Sequence, residues 1–313
     1  MTMEFYSLQK STKVNCLLKK IYITLLSLLF FQTSLAQGLQ TNTTGVFSYT
    51  PPAPLNANPI EVYYHIPSGS IGDMPVLMSF HGGSRNAYDY LKIWIELSKN
   101  KNIILVAPEF TRNNHNDYAL LNMSDHYANP NKNNEEYLDM SISSFFNFFK
   151  SKYGLKVNDY KIYGHSGGAQ FLHRYILFSN DSRISSSVIA NSGYYTFLNW
   201  DDYPYGIKDV DYLNSKKIEN FLSEKVTMLI GEKDRGFTRS SHTSANEKGI
   251  IAQGSNRFQR ANNYFNHLVS ISEKFEIPFR WKFYVVENVG HENKKMSSRA
   301  AEILLNDVSD IES

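Results

Sequence analysis

From residue 60 to residue 305 the chain alternates short apolar runs with longer amphipathic stretches. Runs of strand length, rich in β-branched and aromatic residues, fall at 60–66, 76–80, 103–107, 161–163, 187–190, 226–230 and 281–286. Apolar positions at helical spacing fall at 88–98, 136–153, 168–178, 257–275 and 292–305. Several strand runs carry no polar alternation, such as Ile103-Ile104-Leu105-Val106 and Met228-Leu229-Ile230. A run apolar on both faces suits a strand buried on both sides, which is the state of a parallel sheet covered by helices. The pattern therefore predicts an α/β protein: a doubly wound, mostly parallel sheet with helices on both faces. No internal repeat is visible.

Two stretches break the rhythm. Residues 111–135 are Asn-rich and long for a connection, and residues 194–225 hold Tyr194, Tyr195, Phe197, Trp200, Tyr203, Tyr205 and Tyr212 with little periodicity. Both follow predicted strands. They therefore emerge at the carboxyl ends of the sheet, where open α/β sheets bind ligands. Tyr194 and Tyr195 are the candidate substrate-binding residues, and the competing expectation is an excursion whose aromatics pack into the core. Residues 37–58 are rich in Gln, Thr, Asn and Pro and read as an irregular lead-in. The catalytic domain is expected over 59–313, with the aromatic-rich insertion at about 194–225.

The first 36 residues differ from the rest. Lys10, Lys13, Lys19 and Lys20 precede an apolar run over 21–31, and Ser34-Leu35-Ala36 supplies small residues for cleavage. This reads as a secretory signal peptide, its apolar run too short for a stable bilayer anchor. Secretion or periplasmic residence is expected, with no membrane anchor after cleavage. The 313 residues carry 32 basic and 30 acidic side chains; without residues 1–36 the counts are 28 and 29, a net of −1. The apparent basicity belongs to the leader, so nucleic acid is not an expected partner. The one cysteine, Cys16, also lies in the leader. Its loss on cleavage would exclude disulfides, thiol catalysis and thiolate metal sites.

The chemistry centres on Gly164-His165-Ser166-Gly167-Gly168, set between a predicted strand and a predicted helix. A serine on a strand–turn–helix elbow needs glycines two before and two after it, because strand and helix approach closely. A serine hydroxyl is a weak nucleophile at neutral pH and needs a histidine base oriented by a carboxylate. On such elbows the acid and then the histidine follow in the chain. The run 226–230 ends in Gly231-Glu232-Lys233-Asp234, so Asp234 is the candidate acid and Glu232 its competitor. Among His242, His267 and His291, the last follows the final strand and a glycine, which makes it the candidate base. Oxyanion donors are expected at Gly167, at a helix start, and at Gly83 in His81-Gly82-Gly83-Ser84, with Ser84 as the fallback. His165 reads as a packing residue. His115, Asp125, His126, Glu135 and Glu136 fit no recurrent metal-ligand spacing.

Taken together, His81-Gly82-Gly83, the 164–168 elbow, Asp234 and Gly290-His291 resemble the α/β-hydrolase superfamily over roughly residues 60–305. More narrowly, Ala107-Pro108-Glu109-Phe110, Asn191-Ser192-Gly193-Tyr194-Tyr195-Thr196, Ala252-Gln253-Gly254 and Pro278-Phe279-Arg280-Trp281 resemble exported bacterial polyhydroxybutyrate-depolymerase-like and feruloyl-esterase-like enzymes. The resemblance implies a cofactor-free, metal-free serine esterase acting through an acyl-enzyme on a small or polymeric ester. The alternatives are a peptidase of the prolyl-oligopeptidase type, an acyltransferase, and a non-catalytic binding protein on the same fold.

Overall fold

The computed structural model describes residues 41–179, 181–208, 210, 212–236 and 244–306. The segment read as a signal peptide and His242 lie outside them. The strands are β1 (Thr43–Tyr49), β2 (Ile60–Ile66), β3 (Val76–Phe80), β4 (Ile104–Glu109), β5 (Tyr160–His165), β6 (Ile184–Ala190), β7 (Val226–Gly231) and β8 (Lys282–Val286). They form one sheet in the order β1-β2-β4-β3-β5-β6-β7-β8. β2 runs antiparallel to β1 and to β4, and every other pairing is parallel. The helices are α1 (Ala87–Leu97), α2 (Ser141–Tyr153), α3 (Gly167–Phe178), α4 (Ser215–Ser223), α5 (Ser244–Gln253), α6 (Arg257–Phe275) and α7 (Asn293–Leu304).

The unbroken apolar runs sit where two-sided burial demands them. Every residue of β3 and of β7 is buried. One core layer joins Leu77, Leu105, Tyr163, Val188 and Leu229 from five strands to Trp94 of α1 and to Met296 and Leu304 of α7. Truncating such a side chain to alanine costs about 2–5 kcal/mol, since close packing leaves a cavity behind. The consequence for function is positional. β3, β5, β6, β7 and β8 are parallel, so the residues that follow them gather along one edge of the sheet.

Three elements escaped the periodicity reading. Residues 43–49, part of the expected irregular lead-in, form β1. Their alternation is real but short, and its inward positions Phe47 and Tyr49 pack on Phe148 and Phe145 of α2 at ring separations of 5.6 and 4.7 Å. Flanking Thr, Asn and Pro masked that signal. α4 lies within the aromatic-rich insertion, started by Asn214, whose side chain accepts from the Lys217 N–H at 3.0 Å. α5 was also missed. The helix expected from residue 136 begins at Ser141, because 134–136 form a separate 3₁₀ turn.

Candidate active site

Ser166 sits between β5 and α3 with φ 57° and ψ −115°. An L-residue pays for positive φ in strain, and such strain persists only where the surroundings enforce it. Here the enforcement is steric. A Cβ on Gly164 would lie 2.5 Å from the Gly168 carbonyl oxygen, and one on Gly168 would lie 2.2 Å from that of Phe80. Only glycine at both places lets the chain reverse this tightly, leaving Ser166 partly exposed at the sheet edge.

Two other strand ends bring their side chains to it. His291, after β8, accepts the Ser166 hydroxyl at Nε2 over 3.0 Å. Its Nδ1–H donates to Asp234 Oδ2 over 2.7 Å, which fixes the tautomer. Asp234 follows β7, and its side chain is 1% exposed. Glu232, the rival acid, is turned away to accept the Asn288 N–H at 2.8 Å. His267 lies in α6, its ring 5.0 Å from Phe197.

The loops carrying the acid and the histidine are stapled by residues that the sequence reading gave no role. Asn191, just past β6 with φ 50°, donates from Nδ2 to the Gly290 carbonyl and accepts from the Gly231 N–H, both over 2.8 Å. Arg257, the first residue of α6, donates from Nε to Asp234 Oδ1 over 2.7 Å. No pattern signal marks either residue, because their partners lie tens of positions away.

The loop after β3 faces the elbow. A Cβ on Gly82 would lie 3.2 Å from Ser166 Cβ, and one on Gly167 would lie 3.3 Å from the Gly83 nitrogen, so the Gly83 and Gly167 peptides meet beside the serine. The Gly82 N–H is engaged by the Tyr90 hydroxyl at 3.0 Å. Tyr90 in turn donates to His165 Nδ1 at 3.1 Å, tying the loop to the elbow. His165 is buried, and its ring centroid lies 4.8 Å from that of His291. Burial above all, with His291 and the Arg257 guanidinium beside it, holds His165 well below the usual imidazole range. It is therefore neutral. His81 lies wholly inside. Its Nε2 accepts the Phe110 N–H at 3.0 Å, so Nδ1–H donates to the Gly82 carbonyl at 2.9 Å. Burial pushes its pKa down to about 4. Tyr118 donates to the His81 carbonyl at 2.5 Å. Arg85 lies over the Tyr118 ring at 4.2 Å and grips the carbonyls of Phe110, His115 and Asn116 at 2.7, 2.9 and 2.6 Å.

No protein-family model matches this sequence, and no curated protein matches it. Solved structures do. A poly(aspartic acid) hydrolase-1 from Sphingomonas sp. KT-1 is 28% identical over 85% of this chain and 100% of its own, with a TM-score of 0.75. A poly(3-hydroxybutyrate) depolymerase from Bordetella parapertussis is 22% identical over 88% of this chain and 96% of its own, with a TM-score of 0.77. A ferulic acid esterase is 13% identical over 84% and 96%, with a TM-score of 0.52. The chain has the α/β-hydrolase fold.

Within this fold the two long connections pack on each other. Tyr203 donates to the Leu120 carbonyl at 2.6 Å, and the Tyr212 hydroxyl lies 3.2 Å from Met123 Sδ. Arg174 of α3, fully buried, donates to the Thr196 hydroxyl at 2.9 Å and to the Ala119 carbonyl at 2.8 Å. The expectation that Tyr195 walls a substrate pocket does not hold. Its ring is 2% exposed and stacked on Tyr264 at 4.4 Å, so it belongs to the core. Tyr194 is only partly buried, its ring 5.1 Å from the Arg174 guanidinium and 5.6 Å from Tyr205. Between the connections runs a cleft of about 550 Å³, lined by Tyr127, Phe197, Tyr205, Lys248 and Gln253 among others. Among the described residues no cluster of three or more His, Cys, Asp or Glu side chains is placed to hold a metal ion, and no helix is long and apolar enough to cross a membrane.

Proposed function

We propose that this chain is an exported serine hydrolase that cleaves carboxylic esters through an acyl-enzyme. One observation carries the reading: an unbroken hydrogen-bonded line from Asp234 through His291 to Ser166, with the peptides of Gly83 and Gly167 meeting beside the serine. Ser166 Oγ attacks the ester carbonyl as its proton passes to His291 Nε2. Asp234 holds the imidazole in the tautomer that can accept it and stabilises the imidazolium that forms. The Gly83 and Gly167 N–H groups receive the oxyanion, a contribution on the order of 10²–10³ in kcat per donor. His291 then gives the proton to the leaving alcohol. Water, deprotonated by the same nitrogen, releases the acid and regenerates Ser166.

Two of the solved relatives are named for poly(3-hydroxybutyrate), an ester polymer, and poly(aspartic acid), joined by amides. The 28% identity to the latter favours a second reading, amide cleavage, in which His291 protonates an amine instead. Kinetics on p-nitrophenyl esters of graded acyl length beside aminoacyl p-nitroanilides separate the two. Ester turnover without anilide turnover supports the first. Silence on both, with no labelling by a fluorophosphonate, sinks the catalytic reading. Ser166→Ala should lower kcat by about 10⁴–10⁶-fold without changing the fold, as for other members of such triads. A variant keeping a tenth of the activity means another residue attacks. Export predicts a mature amino terminus near residue 37, read by sequencing the secreted protein; an intact leader there overturns it.

A further inference from the structure

Asp234 is a carboxylate with almost no access to water, and its two oxygens face different partners. Oδ2 takes the His291 Nδ1–H at 2.7 Å; Oδ1 takes the Arg257 Nε–H at 2.7 Å. The guanidinium is itself largely enclosed, its side chain 15% exposed. The backbone repeats the link. The Phe258 N–H donates to the Asp234 carbonyl at 3.1 Å, and the Arg257 N–H to the Gly236 carbonyl at 3.3 Å. Gly236 allows the closeness, since a Cβ there would lie 2.6 Å from an Arg257 terminal nitrogen. The start of α6 thus grips the loop after β7 at the very residue that orients the histidine.

Building on the triad reading, we infer that Arg257 is a positioning residue for the reaction, acting through Asp234 and touching neither substrate nor serine. A buried carboxylate with one partner can turn about its terminal torsion and present the wrong oxygen, or a shared one, to Nδ1. Arg257 occupies the second oxygen, so the first has a single orientation. It also compensates a charge that would be costly to leave alone out of water. The neighbouring carboxylates Glu232 and Glu292 are placed apart from this pair, each accepting a backbone N–H of the loop before His291, at Asn288 and Gly290. Arg260, one helical turn on, is committed to the carbonyls of Gly193 and Gly254 at 2.7 and 3.0 Å.

The test is a double-mutant cycle on kcat with p-nitrophenyl acetate, using the full chain and the variants Arg257→Gln, Arg257→Lys, Asp234→Asn and Arg257→Gln/Asp234→Asn. Residues that act through one another are non-additive, whereas a merely structural role lowers activity equally in both backgrounds. Arg257→Gln should lower kcat about 10–100-fold with KM within two-fold. Arg257→Lys should restore most of the loss. In the Asp234→Asn background Arg257→Gln should change kcat by less than about two-fold. Equal losses in both backgrounds overturn the inference while leaving the triad intact. An Asp234→Asn variant of native activity removes the triad reading itself, and this inference with it. If Arg257→Gln fails to fold by circular dichroism, Arg257→Met replaces it; if both fail, Arg257 holds the fold and the positioning role is refuted.

Discussion

Tyr90→Phe removes one oxygen atom from this protein and should damage both its stability and its chemistry. The ring is 4% exposed and packs in the core layer with Trp94 and Tyr163, and phenylalanine fills the same volume. Two hydrogen bonds go: the one accepted from the Gly82 N–H at 3.0 Å and the one donated to His165 Nδ1 at 3.1 Å. Both abandoned groups are buried, and a buried polar group left without a partner costs about 1–3 kcal/mol. The pair therefore predicts a loss of about 2–6 kcal/mol. At about 2 °C per kcal/mol for a domain of this size, the melting temperature should fall by about 4–12 °C. Gly82 precedes the Gly83 peptide, whose N–H is the proposed oxyanion donor. Freeing that loop gives up preorganisation without removing the donor, so kcat should fall by about 10–100-fold, less than deletion of a donor brings, with KM nearly unchanged. Thermal denaturation by circular dichroism and steady-state hydrolysis of p-nitrophenyl acetate measure the two effects. A variant melting within 1 °C of native, with kcat within two-fold, refutes the idea that Tyr90 holds the loop.

Asp234→Asn should lower kcat by roughly 10⁴-fold because the histidine loses the partner that fixes its tautomer, while Glu232→Gln should cost less than about five-fold; reversed effects would move the acid to Glu232. Acid should unfold the protein early. His81 and His115 are buried, and burial pushes each down to about 4 from an ordinary 6.5, so the unfolded chain binds protons there first. Their contribution is complete above pH 6.5 and is lost as pH falls towards 4, by about 3 kcal/mol for each. Urea midpoints at pH 7, 5.5 and 4.5 should fall steadily; a flat series, or His81→Gln removing none of the slope, counts against it.

What could be read from the sequence was what is local. The elbow is legible because its steric demand falls on glycines within two residues of Ser166. The fold class is legible because burial of β3 and β7 on both faces leaves no polar alternation. The pairing of strand ends follows once the sheet is parallel, which is why chain order alone singles out Asp234 and His291, the residues that the structure links to Ser166. Tyr195 was misjudged because proximity in sequence to a strand end says nothing about which way the next side chain turns. Its ring goes inward to Tyr264, while Tyr194 beside it stays partly out. Arg257, Asn191 and Tyr90 were invisible for a related reason. Each acts through contacts to other segments, across 23 positions for Arg257, 40 and 99 for Asn191 and 75 for Tyr90 to His165, and such contacts leave no periodic trace.

Three arginines, Arg174 and Arg260 buried and Arg85 half-buried, explain how the irregular parts of the structure stay in place. Residues 41–306 contain no cysteine, so no disulfide can tie the long connections down. A connection that is packed rather than solvated carries backbone carbonyls that must find donors. A guanidinium offers five donors in a rigid fork, enough to satisfy several carbonyls from different segments at once. Arg85 takes three carbonyls between Phe110 and Asn116; Arg174 takes those of Ala119 and Gln170 and the Thr196 hydroxyl; Arg260 takes those of Gly193 and Gly254. All three therefore hold loop segments that have no regular ladder of their own. Arg257 differs in kind, since the group it holds is the carboxylate of Asp234. The same side-chain chemistry thus holds loop carbonyls in three places and the carboxylate of the proposed triad in a fourth.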